Sequence, residues 1–251
     1  MEQISYTLKH YIYNKNTPNQ SELIALYPHK IEVKGMLFFI HGHQINDRIG
    51  AWEILRFVSP IIKEGYCILI PSMLGFGKTT GKKDMYGPET IQRLYDTLTQ
   101  WLKENDNKKL IGVIGSSRGA SAAALMTIKY PKLFTCAVVL AGTYDLERQY
   151  NQINLALMKK RNIEEESGIK PNDFDVRSAI KNTQAIISPF LIIHGKEDEN
   201  IDFQQAVDFG ETLIKFGKEC QTVILSNKSH ALFSNEIFEK YIIPFLRKKL
   251  K

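Results

Sequence analysis

Leu110-Ile111-Gly112-Val113-Ile114-Gly115-Ser116-Ser117-Arg118-Gly119-Ala120-Ser121-Ala122-Ala123-Ala124-Leu125-Met126 is the stretch on which the reading of this chain turns. An apolar run of strand type enters a Gly-x-Ser-x-Gly segment, and a small-residue run of helical type leaves it. That order predicts a buried strand, a tight turn and a helix, with a serine at the apex of the turn. Such a turn holds its central residue in a strained backbone conformation and pushes the side chain out to where a substrate can reach it. Glycines two residues to either side let the flanking backbones approach. The same requirement chooses between the two serines. Ser117 has Gly115 and Gly119 at those positions, whereas Ser116 has Ile114 and Arg118, both too bulky. Ser117 is the candidate nucleophile.

Outward from the turn, strand-like and helix-like segments alternate. Ser5 to Tyr13 and Leu23 to Tyr27 read as two strands of an antiparallel hairpin, separated by the turn-rich Asn14-Lys15-Asn16-Thr17-Pro18-Asn19. Met36 to Ile40 and Tyr66 to Pro71 are continuous apolar runs of the kind found in strands covered on both faces. A helical pattern from Trp52 to Lys63 lies between them, and a second helix runs from Pro88 to Glu104, its proline marking the start. Strands at Cys136 to Ala141, Phe190 to Ile193 and Gln221 to Leu225 follow, with helices at Phe203 to Phe216 and Ser234 to Lys249. The alternation predicts an α/β fold: a mostly parallel central sheet, helices on both faces and an N-terminal antiparallel edge. No linker or internal repeat divides the chain, so residues 1–251 read as a single domain. Residues 143–188, which include a charged helical stretch from Asp145 to Glu166, are too long for a simple crossover and read as a small cap insertion.

Composition narrows the class. With 43% hydrophobic residues the chain can bury a substantial core. Its longest apolar runs fall far short of the roughly 20 residues a spanning helix needs, so no membrane association is expected. The first residues, Met1-Glu2-Gln3-Ile4-Ser5-Tyr6, do not read as a signal peptide. Three widely spaced cysteines, Cys67, Cys136 and Cys220, make a disulfide framework unexpected and favour a cytoplasmic location. The net charge of +6 comes from basic pairs scattered among acidic residues, not from a stripe, and nucleic acid is not an expected partner.

A serine needs a base to take its proton and a carboxylate to orient that base, and in such a sheet these groups belong at the carboxyl ends of strands. Of six histidines, His10 and His29 lie in the hairpin region, and His41 precedes the serine. In the order serine, acid, histidine, only His194 and His230 remain. His194 is attached to the strand Phe190 to Ile193 and supports the loop after it. His230, between the last strand and the last helix, is the candidate base. Asp198, in His194-Gly195-Lys196-Glu197-Asp198-Glu199, is one helix and one strand away and is preferred as the acid. Asp145 is the alternative, with helix capping as its structural role. An oxyanion hole needs backbone N–H donors. Arg118, opening a helix after the nucleophile, supplies one, and His43, in the turn His41-Gly42-His43, the other. That turn lacks a third histidine nearby, and neither metal nor another cofactor is expected.

These stretches resemble the α/β-hydrolases, and within them the catalytic domain of the prolyl oligopeptidase family and its stand-alone esterase relatives. The resemblance rests on His41-Gly42, Gly75-Phe76-Gly77, Gly87-Pro88-Glu89, Gly115 to Gly119, Asp173 to Asn182 before Pro189, His194 to Asp198, and His230 to Phe233. It implies an α/β-hydrolase fold, with Asp198 and His230 at the family's acid and base positions. The family's peptidases carry an N-terminal β-propeller, for which these 251 residues leave no room. His43 stands where a second glycine is common, and Ile201-Asp202 where a proline is common. The expectation is a serine hydrolase cleaving small carboxylic esters through an acyl-enzyme. A peptidase acting on short peptides or aminoacyl amides with the same triad is the alternative, and a non-catalytic binding protein a more distant one. Nothing in the sequence fixes the oligomeric state.

Overall fold

The nucleophile turn sits at the centre of an eight-stranded sheet in the computed structural model, which describes residues 6–29, 31–106, 109–152 and 156–250. The strands are β1 Tyr6–Tyr13, β2 Ser21–Pro28, β3 Gly35–Ile40, β4 Tyr66–Pro71, β5 Ile111–Ser116, β6 Cys136–Leu140, β7 Phe190–Gly195 and β8 Cys220–Leu225. They lie in the order β1-β2-β4-β3-β5-β6-β7-β8. Pairing is antiparallel from β1 to β2 and from β2 to β4, and parallel from β4 through β8. The mostly parallel sheet with an antiparallel hairpin at one edge is as the sequence predicts. Ser5, the predicted first strand residue, lies outside the described residues.

Every residue of β3, β4, β6 and β7 is buried, which explains their unbroken apolar runs. Alternate residues feed two cores. Met36, Phe38 and Ile40 of β3 join the side covered by helices α2 (Pro88–Glu104), α3 (Arg118–Lys129) and α7 (Gln204–Lys215). Leu37 and Phe39 face the other side. That side is covered by a 3₁₀ helix (Gly50–Phe57), by α1 (Ser59–Lys63) and by the C-terminal helical segment. The single helix expected from Trp52 to Lys63 is thus two pieces. Pro60, with no backbone N–H to donate, opens the second as one of its first helical residues.

The insertion between β6 and β7 holds α4 (Leu146–Tyr150), α5 (Leu157–Ser167), α6 (Pro171–Asp175) and a 3₁₀ turn, Ala179–Ala185. The C-terminal segment comprises α8 (Asn235–Ile237), a π turn at Phe238–Ile242, and α9 (Ile243–Lys249).

Strand order positions the site. The chain steps from β3 outward to β4, then back past β3 to β5, so β3 and β5 are neighbours whose crossovers depart in opposite directions. A crevice opens at such a switch point, at the carboxyl ends of the strands. Ile40 pairs with Gly115 there, which sets the turn after β3 beside the turn after β5.

Candidate active site

Ser117 carries φ 53° and ψ −121°, a backbone conformation that non-glycine residues avoid and that costs on the order of 1–3 kcal/mol. Close backbone approach enforces it. A Cβ on Gly115 would strike the Gly119 carbonyl, and a Cβ on Gly119 would strike the carbonyls of Ile40 and His41. The Ser117 N–H donates to Leu140 O at 2.8 Å, fastening the turn to β6.

The Ser117 hydroxyl lies 2.9 Å from His230 Nε2, and His230 Nδ1 lies 2.7 Å from Asp198 Oδ2. An ionised carboxylate only accepts, so Nδ1 carries the imidazole proton, and Nε2 is left to accept from the serine. The Asp198 carboxylate is fully buried and saturated with donors. Its Oδ2 also accepts from His194 Nε2 at 3.0 Å, and its Oδ1 from the amides of Asn200 at 2.8 Å and Ile201 at 3.0 Å. Burial opposes its charge, but the hydrogen bonds from His194 and His230 outweigh that cost and hold the carboxyl well below the usual carboxylate range. His194 thus supports the acid loop, bonding Asp198 and, at 3.1 Å, Ile201 O. Asp145 does not reach His230; its carboxylate caps α4 through the Arg148 amide at 3.1 Å.

His230 arrives from two strands beyond β6, so its loop must reach back across β7. Gly195, ending β7, makes room for it, since a Cβ there would strike the carbonyls of Lys228 and Ser229. The Glu197 amide then bonds Lys228 O at 3.0 Å.

The amides of His43 and Arg118 donate to no acceptor among the described residues. Arg118 is the first residue of α3, where such an amide has no intrahelical partner. The His43 amide is oriented by its neighbour. Met73 N–H donates to His41 Nε2 at 3.0 Å, so the His41 proton sits on Nδ1 and is donated to Gly42 O at 2.7 Å. That carbonyl and the His43 N–H belong to one trans peptide, so fixing one direction fixes the other. Burial drives the His41 imidazole down to about 4, which keeps it neutral in this role. With its Nε2 lone pair committed to Met73, His41 is not free to ligate a metal. Desolvation beside Phe76, with the charges of Arg118 and Lys83 nearby, also pushes the His43 imidazole down.

Two clefts meet at Ser117 and His230. The larger, about 510 Å³, is walled by the apolar Ile45, Met85, Leu146, Ile163 and Ile201, and floored by Arg118. The smaller, about 320 Å³, runs past Phe57 and along residues 230–233. The insertion supplies Leu146, Lys159 and Ile163 to the larger cleft and is locked to its floor. Arg118 Nη1 donates to Glu166 Oε2 at 2.6 Å, with both side chains nearly buried. Glu166 and Lys159 carry no mark in the sequence, because a charged helix reads as solvated until its partners are known. The loop from Met73 to Tyr86 shapes the pocket in a way its sequence does not give: Met85 and Tyr86 line the cleft with positive φ values of 48° and 49°. Burial pushes the Tyr86 phenol up to about 12.

Comparison with known proteins places the chain in a family. The model of the prolyl oligopeptidase family matches residues 97–250, and that of the X-Pro dipeptidyl-peptidase (S15) family matches residues 5–169. An uncharacterized peptidase of Bacillus subtilis, YtmA, is 24% identical over 78% of this chain and 75% of its own length. Among solved structures, the acylaminoacyl peptidase of Pyrococcus horikoshii superposes with a TM-score of 0.79 at 16% identity, covering 100% of this chain but 43% of the peptidase. The Pyrococcus furiosus esterase Pf2001 superposes with a TM-score of 0.72 at 19% identity, covering 99% of this chain and 92% of the esterase. The chain therefore spans less than half of the first and nearly all of the second. No helix among the described residues is long and apolar enough to cross a membrane. The family match covers more than half of the sequence and includes the serine turn, Asp198 and His230, and by it this chain belongs to the prolyl oligopeptidase family of serine hydrolases.

Proposed function

We propose that this chain hydrolyses carboxylic esters through an acyl-enzyme on Ser117. The observation that carries the reading is the unbroken series from Asp198 through His230 to the Ser117 hydroxyl, with each link at hydrogen-bond distance. His230 takes the hydroxyl proton as Ser117 attacks the carbonyl. The oxyanion accepts from the amides of His43 and Arg118, the latter strengthened by the dipole of α3. His230 then gives its proton to the leaving alcohol, and the acyl group stays on Ser117. Water, deprotonated by His230, releases the acid and regenerates the serine. Asp198 holds the imidazole in the required tautomer and stabilises the imidazolium. The smaller cleft, built from His230 and the three residues after it, is where a group protonated by His230 departs. The larger cleft is left for the acyl part, and its apolar wall suits an aliphatic chain.

Cleavage of a short peptide or aminoacyl amide is the second reading, favoured by the peptidase families whose models match. The near-complete overlap with a stand-alone esterase favours the ester. Residues 1–251 are read as one domain in which the insertion 143–188 walls the acyl cleft. The three cysteines, Cys67, Cys136 and Cys220, are free thiols, which suits a reducing cytoplasm. Parallel assays with 4-nitrophenyl esters of increasing chain length and with aminoacyl 4-nitroanilides test the choice. The ester reading expects kcat/KM at least about a hundredfold higher on the best ester after correction for the intrinsic reactivity of each bond. Equal or greater efficiency on an anilide overturns it in favour of the peptidase.

A further inference from the structure

The larger cleft holds more positive charge than hydrolysis of a neutral ester uses. Two of its lining side chains are cations, Arg118 and Lys159, and none is an aspartate or glutamate. Arg118 is answered from behind the wall by Glu166. Lys159 is not answered: its ammonium donates to the neutral Oδ1 of Asn200 at 2.6 Å, and no carboxylate reaches it among the described residues. Asn200 is itself fixed, since its backbone N–H donates to Asp198 Oδ1. The lysine is therefore held on the wall of the acyl cleft by an amide tied to the acid loop. It is part-buried and lacks a counter-ion. An ammonium so placed gains from any anion the cleft admits.

The other charges around the cleft do not cancel it. Asp198 faces His194 and His230, and Glu166 faces Arg118. Lys160, next along α5, lies over the Tyr150 ring at 4.6 Å instead of lining the cleft. The cleft that holds both the serine and the lysine is also lined by the apolar Ile45, Met85, Leu146, Ile163 and Ile201, so the group that fits is an apolar chain ending in a negative charge.

We infer that the acyl cleft selects acyl groups carrying a second, ionised carboxylate, held by Lys159 and Asn200, so that half-esters of aliphatic dicarboxylic acids are the preferred substrates. This rests on the serine-hydrolase reading of Ser117 and on the larger cleft being the acyl side. Cleavage consumes one water and yields the dicarboxylate and the free alcohol; the second carboxylate takes no part in the bond changes.

The test pairs 4-nitrophenyl esters of equal chain length, the adipate and suberate half-esters against the hexanoate and octanoate, each corrected for spontaneous hydrolysis. The wild-type protein is expected to favour the better half-ester by about tenfold in kcat/KM, the value of one charge-assisted hydrogen bond. The ratio should shrink as NaCl rises from 50 mM to 0.5 M. Lys159→Gln should bring the ratio to about one, and Lys159→Glu below one, while Lys160→Gln keeps the wild-type ratio. A wild-type ratio at or below one, or a preference that survives Lys159→Gln, overturns the inference. Turnover of the neutral esters and covalent labelling of Ser117 report the serine-hydrolase reading separately, so failure of the charge preference alone leaves that reading standing.

Discussion

Two buried carboxylates in this protein keep company with a histidine and a serine, and the two sets are bonded in different orders. Asp198, His230 and Ser117 are bonded in series, so the imidazole stands between acid and hydroxyl. Glu22, on β2, is bonded in parallel. Its Oε1 meets His10 Nε2 at 2.8 Å, while its Oε2 accepts from the Ser72 hydroxyl at 2.6 Å and the Lys78 amide at 2.9 Å. Among the described residues no imidazole contacts Ser72 there. Its hydroxyl is spent on the carboxylate, its oxygen accepts from the Ala51 amide at 2.8 Å, and it is 2% exposed. Glu22 serves instead to tie the loop after β4 to the hairpin. Under the proposed function, the order of their bonds and their access to a cleft decide whether the same three kinds of side chain form a reactive relay or a structural clasp.

The sharpest break between the two sets should come from the serines. Ser117→Ala should lower kcat on the best ester by on the order of 10⁶, as removal of a triad serine does. Ser72→Ala should keep kcat within about tenfold, and its cost should appear in urea melts. The acids differ next. Asp198→Asn leaves an amide that cannot enforce the same imidazole tautomer, and kcat should fall by on the order of 10⁴. Glu22→Gln should instead destabilise the fold by about 1–3 kcal/mol, because one of the two accepting oxygens becomes an NH2 and the donors it served lose their acceptor. A rate collapse in Glu22→Gln at full occupancy of the native state would erase the distinction.

Acid titration separates the regions more gently. The folded-state value of His41 is about 4, below the ordinary value of about 6.5, so the unfolded chain binds its proton first. Stability should fall as pH drops from 6.5 towards 4, with a slope of at most about 1.4 kcal/mol per pH unit from this residue. His41→Gln, which keeps an acceptor for Met73, should flatten that limb. Asp198 acts lower down, because its folded value lies below that of an unfolded carboxyl. Its contribution is intact above about pH 4 and is lost progressively below it. The smallest expected effect is at Asp145, where Asn caps a helix about as well. Asp145→Asn should leave kcat within about twofold and stability within a few tenths of a kcal/mol.

What could be read from the sequence follows the range of each constraint. Gly115 is demanded by a contact within the turn itself and Gly119 by the end of β3 packed against it, and the Gly-x-Ser-x-Gly motif announces both. The apolar runs announce strands covered on both faces, and their alternation with helices announces the parallel sheet. Asp198 and His230 are separated by one helix and one strand, so chain order and strand-end position suffice to place them side by side. Glu22 carries no such mark. It lies in a strand buried at almost every position, and its partners Ser72 and Lys78 are 50 and 56 residues away. Glu166 meets Arg118 across 48 residues, from a helix whose charges read as solvated. The stretch Asp145 to Glu166 reads as one helical run because charge pattern does not reveal a break; the structure gives α4 and α5, with residues 153–155 outside the described ones.

The central claim is that the series of bonds at Ser117 makes that hydroxyl nucleophilic. A fluorophosphonate probe, followed by peptide mapping, measures this directly without knowledge of the substrate. One adduct per folded chain is expected, on Ser117, absent in Ser117→Ala and formed far more slowly in His230→Ala. Folded wild-type protein that takes no label, or takes it on Ser72 or another serine, would contradict it.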